Sequence, residues 1–184
     1  SIIKQFDLPC EFSKEVINEA KSVSLEPISL KYRRDLRDQE IFTIDGEDAK
    51  DLDDAVCVKK LSDGNYELGV HIADVSHYVR ENTEINKEAV NRSTSVYMLD
   101  RVIPMLPVEL SNGCCSLNEG VDRYAMSCVM KINKKGEVIN ADVFKSVINV
   151  TKRMNYHEVQ VDIDRNNEEI VSQYDDEKKK YAND

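Results

Sequence analysis

Six carboxylates fall among ten residues in the stretch Asp45-Gly46-Glu47-Asp48-Ala49-Lys50-Asp51-Leu52-Asp53-Asp54, with a single Lys between them. Crowded carboxylates repel and raise one another's pKa, so a folded loop that gathers them needs full hydration or a cation. Hard oxygen donors in this number suit magnesium, or manganese, with positions left open for water and phosphate. An EF-hand calcium loop is excluded by spacing. Starting it at Asp45 puts Ala49 at the fifth position and Val56 at the twelfth, and starting it at Asp51 puts Val56 where glycine is required. A solvated acidic turn accounts for the charge pattern equally well, and spacing alone does not separate the two readings.

The elements on either side decide how such a loop is presented. Residues 41–44 are a short apolar run, and residues 55–60 and 66–73 are rich in Val, Ile and Tyr around the turn sequence Ser62-Asp63-Gly64-Asn65. This predicts a strand followed by a hairpin. Asp45 then ends one strand and Asp54 begins the next, while Asp51 and Asp53 share a face if the chain between them is extended. Residues 124–132 and 138–150 alternate around Asn133-Lys134-Lys135-Gly136 and predict a second hairpin. Helical character is expected behind Ser13, weakly over 84–94, and over 156–163 and 168–181, the last with an apolar stripe of Ile170, Val171, Tyr174 and Tyr181. Pro104 and Pro107 predict an extended crossing between them.

Composition narrows the class. The chain has 184 residues, 41% hydrophobic and 33% charged, with no apolar run of membrane-spanning length and no secretory leader pattern, so membrane and secreted readings drop out. The five cysteines contain no CxxC pair and are odd in number, which signals neither a zinc ribbon nor a disulfide framework and suggests a reducing, cytoplasmic setting. A net charge of -10 argues at first against a polyanionic partner. The acidity is local, however: residues 38–54 carry -7 and residues 162–184 carry -4, which leaves the rest of the chain at +1.

The stretch 45–55, followed by Gly69-Val70-His71-Ile72-Ala73-Asp74-Val75-Ser76-His77-Tyr78-Val79, closely resembles the start of the catalytic domain of the ribonuclease II and ribonuclease R family. The resemblance continues through Ser95-Val96-Tyr97, Arg101-Val102-Ile103-Pro104-Met105-Leu106-Pro107, Leu110-Ser111-Asn112-Gly113, Cys115-Ser116-Leu117-Asn118 and Asp122-Arg123, in family order. It covers roughly residues 38 to 160, with ribonuclease R the closer branch.

The resemblance implies a processive 3′-to-5′ exoribonuclease that hydrolyses single-stranded RNA to nucleoside 5′-monophosphates with magnesium and no small-molecule cofactor. It implies that Asp45, Asp51, Asp53 and Asp54 bind metal and activate water. Asp45 and Asp54 are assigned as direct ligands, Asp51 as a supporting ligand, and Asp53 as the group nearest the attacking water, so that Asp53 and Asp54 carry the catalytic roles. Tyr97 matches an aromatic residue that stacks near the RNA 3′ end, and Tyr156 falls where the family has a second Tyr in the cavity; for both, packing in a core is the rival reading. His71 and His77 are expected to be structural, and Arg92, Arg101 and Arg123 either contact phosphate or satisfy acidic partners.

The expected fold is α+β, mainly antiparallel strands with packed helices, forming part of a ribonuclease II-type catalytic domain. Residues 1–38 are assigned to a connector and residues 39–184 to the N-terminal half of that domain. The remaining half and the flanking barrel-type RNA-binding domains are missing, so weak or no activity is expected of the chain alone. Two other readings stand beside the nuclease: a catalytically silent RNA-binding or regulatory module, and a structural domain that binds a divalent metal.

Overall fold

The computed structural model describes residues 5–6, 8–99 and 101–164; the helix expected over 168–181 lies outside them. The strands are β1 (Arg34–Asp35), β2 (Phe42–Asp45), β3 (Asp54–Lys60), β4 (Tyr66–Ala73), β5 (Val96–Tyr97), β6 (Val102–Ile103), β7 (Asp122–Ile132), β8 (Val138–Asn149) and β9 (Lys152–Asn155). The helices are α1 (Lys14–Ser24), α2 (Val75–Tyr78), α3 (Glu84–Arg92) and α4 (Tyr156–Asp164), with a wide helical turn at Glu109–Cys114. Seven strands form one sheet in the order β1-β8-β7-β4-β3-β2-β9, and β5 pairs with β6 apart from it. The fold is α+β with a mostly antiparallel sheet, as expected. Its outer pairs, β1 with β8 and β2 with β9, are parallel.

Turn chemistry sets both hairpins. Between β3 and β4, the Asp63 side chain accepts from the Asn65 amide at 3.0 Å, and Gly64 takes a φ of 81° that side chains disfavour. Between β7 and β8, the Asn133 side chain accepts from the amides of Lys135 and Glu137 at 2.9 and 3.0 Å. At the start of α1, Ser13 caps the helix by accepting from the Val16 amide, as its position predicted.

Strand alternation sends neighbouring residues to two cores. Tyr124 and Val147 pack with Val16 and Ala20 of α1, Tyr78 of α2, Ile85 of α3 and Leu110, so these helical segments cover one face of the sheet. Ala125 and Ile148 point the other way and pack with Ile41, Leu52, Ala55, Leu117 and Val150. Leu52, from the middle of the acidic stretch, is fully buried there. A buried leucine contributes about 1.5–3 kcal/mol over an exposed one, enough to anchor a loop.

The segment assigned to the connector supplies α1 and β1. Its Arg33 guanidinium pairs with buried Asp74 and lies 4.1 Å from the Tyr124 ring centroid. The path across Pro104 and Pro107 leads out of the short β5–β6 pair into the wide turn, where the Leu110 and Ser111 amides both donate to the Pro107 carbonyl. Among the described residues no helix is long and apolar enough to cross a membrane.

His71 occupies the sheet interior, fully buried, with Nδ1 2.7 Å from the Ser127 hydroxyl and Nε2 3.4 Å from the Cys57 thiol. Burial pulls its pKa down from 6.5 to about 4. An unfolded chain therefore takes up the proton first, and the stability that depends on neutral His71 is lost as pH falls from 6.5 towards about 4. Denaturant titrations of wild type and His71→Gln should show the wild type's advantage shrinking over that window by up to about 3 kcal/mol. A difference constant with pH would contradict this.

Candidate metal centre

The acidic loop connects adjacent antiparallel strands, and the Phe42–Val56 register runs Asp45, at the end of β2, and Asp54, at the start of β3, out at the same end of the sheet. Leu52 plugs the core between Asp51, which is half-buried, and Asp53, which is exposed. Because Leu52 is committed inward, its two acidic neighbours are left outside that core.

The loop backbone is fixed from several sides. The Ala73 amide donates to the Asp53 carbonyl at 2.9 Å, and the Leu117 amide donates to the Leu52 carbonyl at 2.9 Å. The Ser116 hydroxyl accepts from the Leu52 amide at 3.0 Å and donates to the Lys50 carbonyl at 2.8 Å. From β9, Arg153 Nη2 donates to the carbonyls of Ala49 (2.6 Å) and Glu47 (2.9 Å), with a longer contact of 3.5 Å to Gly46.

The side chains feel one another. Loss of solvent raises the pKa of Asp53, and the charges of Asp51, Asp54 and Asp45 raise it further. Asp45 is raised first by burial and then by Asp54, with Arg153 pulling the other way and Asp51 adding to the rise. All four predicted acidic residues thus belong to one electrostatic cluster. Asp45 Oδ2 is buried and makes no hydrogen bond, an orphaned acceptor that normally costs stability.

Both predicted aromatic residues are at the surface, which removes the core-packing alternative: Tyr97 is 67% exposed and Tyr156 64%. The Tyr97 hydroxyl donates to Asp51 Oδ2 at 2.7 Å, which places its ring beside the carboxylates and raises its own pKa. Tyr156 follows Asn155, the residue in register with Asp45. Arg92 and Arg123 are spent internally. Arg92 donates to the carbonyls of Pro9, Glu11 and Pro104, and Arg123 to the carbonyl of Ser116.

The donor set fits a hard divalent cation in chemistry and charge: all-oxygen ligands, mutual repulsion, and an unsatisfied buried oxygen. Among the described residues no three His, Cys, Asp or Glu side chains are already arranged to hold one ion, and Asp51 is turned onto Tyr97. Ligation of a single ion by several of them therefore requires side-chain rotation. The sequence gave no signal for Arg153, whose acceptors are backbone carbonyls more than a hundred residues away. Ser116 carried only the hint of its place in Cys115-Ser116-Leu117-Asn118.

Residues 33–182 match the RNB domain, and the chain belongs to the RNB-domain family. Its relatives are ribonucleases R. It is 56% identical over 163 residues to Ribonuclease R of Thermotoga maritima, a match covering 86% of this chain and 23% of that protein. It is 54% identical over 160 residues to Ribonuclease R 1 of Lactococcus lactis, covering 86% of this chain and 20% of that protein. The solved structure of Mycoplasma genitalium RNase R in complex with double-stranded RNA matches with a TM-score of 0.83 at 32% identity, covering 92% of this chain and 31% of that one. The chain spans about a fifth of the length of the curated relatives it matches.

A carboxylate whose folded pKa is raised costs stability above that pKa, and the cost fades as pH falls through it. In the metal-free protein, Asp45→Asn should therefore raise the melting temperature at pH 7 by about 2 °C or more. The gain should vanish as the pH approaches the ordinary carboxyl value of 3.8. A variant that melts lower than wild type at neutral pH would contradict the assignment of a repelled, unpaired carboxylate to Asp45.

Proposed function

We propose that this chain is the metal-binding portion of a hydrolase, a 3′-to-5′ exoribonuclease that degrades single-stranded RNA to nucleoside 5′-monophosphates. The observation that carries the reading is the convergence of Asp45, Asp51, Asp53 and Asp54 at one end of the sheet, with Asp45 Oδ2 buried and unpaired. The likeness to ribonuclease R supports the substrate class and the direction of attack. A divalent cation, magnesium or in its place manganese, would supply charge against the scissile phosphate and acidity for the attacking water.

In this mechanism Asp45 and Asp54, one on each strand, hold the cation against the sheet. Asp51 supports them, held in place by the Tyr97 hydroxyl until RNA arrives. Asp53, whose raised pKa makes it a better proton acceptor than an ordinary aspartate, takes the proton from the water. The exposed rings of Tyr97 and Tyr156 offer planes for the terminal bases. Stacking of this kind is worth about 1–3 kcal/mol per base and tolerates any sequence, as a processive exonuclease needs. A cytoplasmic location agrees with five free thiols.

The 184 residues alone should release little or no mononucleotide from labelled single-stranded RNA with magnesium, because most of the length of their relatives is not represented. In an enzyme of full relative length carrying this chain, Asp53→Asn should slow mononucleotide release by about 100-fold or more. Unchanged turnover in that variant would remove Asp53 from the chemistry, and rapid degradation by the chain alone would show that these residues suffice for activity.

A further inference from the structure

We propose that Arg153 is the positioning residue of the acidic loop: its guanidinium gathers the backbone carbonyls of residues 46–49 and so keeps the carboxylates assembled before any cation binds. The part of this inference that concerns cation affinity rests on the proposed metal site; the part that concerns loop order does not.

Arg153 is well placed for the task. It lies on β9, paired in parallel with Thr43 of β2, and its own amide donates to Glu119 Oε2 at 2.8 Å, so its backbone is fixed before its side chain acts. From there Nη2 reaches the Ala49 and Glu47 carbonyls at 2.6 and 2.9 Å and lies within 3.5 Å of the Gly46 carbonyl. These acceptors span the turn between Asp45 and Asp51, where four like charges would otherwise be relieved by splaying the loop. The same guanidinium is a positive charge felt by Asp45, opposing the rise that burial, Asp54 and Asp51 impose. The Ser116 hydroxyl, bonded to Lys50 and Leu52, takes over where the reach of Arg153 ends.

The chemistry requires arginine. A planar guanidinium presents several donors in fixed directions and is weakly hydrated, so it can serve divergent carbonyls at once. A lysine ammonium keeps the charge but concentrates it in one strongly hydrated point. Arg153→Lys therefore separates charge from geometry, and Arg153→Met removes both.

The test uses the 184-residue chain and two readouts. The first is trypsin cleavage after Lys50, an exposed residue inside the loop, in metal-free protein, timed against cleavage after exposed Lys60. The second is the midpoint of a Mn2+ titration followed by electron paramagnetic resonance. Arg153→Met and Arg153→Lys should both be cut at Lys50 faster than wild type while the Lys60 rate stays the same. Both should need about 10-fold or more Mn2+ for half-saturation, the loss expected when an outer partner of a metal site is removed. Added guanidinium should restore part of the protection in Arg153→Met. Should that variant fail to fold, Arg153→Lys carries the same test. Wild-type cleavage and a wild-type midpoint in Arg153→Lys would overturn the proposal. A wild type that binds no Mn2+, with Lys50 protected only when Arg153 is present, would instead overturn the metal reading and keep the clamp.

Discussion

Four like charges held at one end of a sheet are the constraint to which the surrounding structure answers. Left alone, Asp45, Asp51, Asp53 and Asp54 would separate, since each raises the cost of ionising its neighbours. Three things prevent this: Leu52, sunk in the core between two of them; the Ser116 hydroxyl, which holds the backbone at Lys50 and Leu52; and Arg153, which holds the turn before them. All three act on the backbone or on an apolar side chain, so the carboxylates remain available to a ligand.

The wider architecture follows from the same requirement. The central antiparallel strands fix where β2 ends and β3 begins, and both cores brace them. The helical segments α1 to α3 cover one face, while the other is closed by the loops that carry Leu52 and Leu117. Adding β9 in parallel beside β2 brings Arg153 under the loop and leaves Tyr156 at the surface one residue beyond the partner of Asp45. The short β5–β6 pair does the same for Tyr97 from the opposite direction, and its hydroxyl touches Asp51. Charge for a phosphate backbone and planes for unstacked bases are thus presented together, the combination that single-stranded nucleic acid requires.

The two hairpins were legible in the sequence because alternation, Gly64 and Gly136 at positive φ, and side-chain acceptors at the turns all agree locally. The α1 start was legible for the same reason. The parallel edges were not: β1 is two residues in a charged run, and β9 is four residues, so neither offers a period to read. The wide turn at Glu109–Cys114 depends on a non-helical Gly113 that no spacing rule announces. Within the site, residue types exposed the acidic cluster, and motif resemblance pointed to Tyr97 and Tyr156. Nothing in the sequence pointed to Arg153, because the partners of a cation that binds main-chain carbonyls leave no mark in residue identity.

The central claim is that these carboxylates exist to hold a divalent cation. It is tested most directly by anomalous diffraction from crystals soaked in Mn2+. The account predicts a peak about 2 Å from a carboxylate oxygen of Asp45 and from at least one of Asp51, Asp53 and Asp54, with Asp45 Oδ2 no longer unpaired. A map with no peak there at saturating Mn2+, and the four side chains splayed into water, would contradict it.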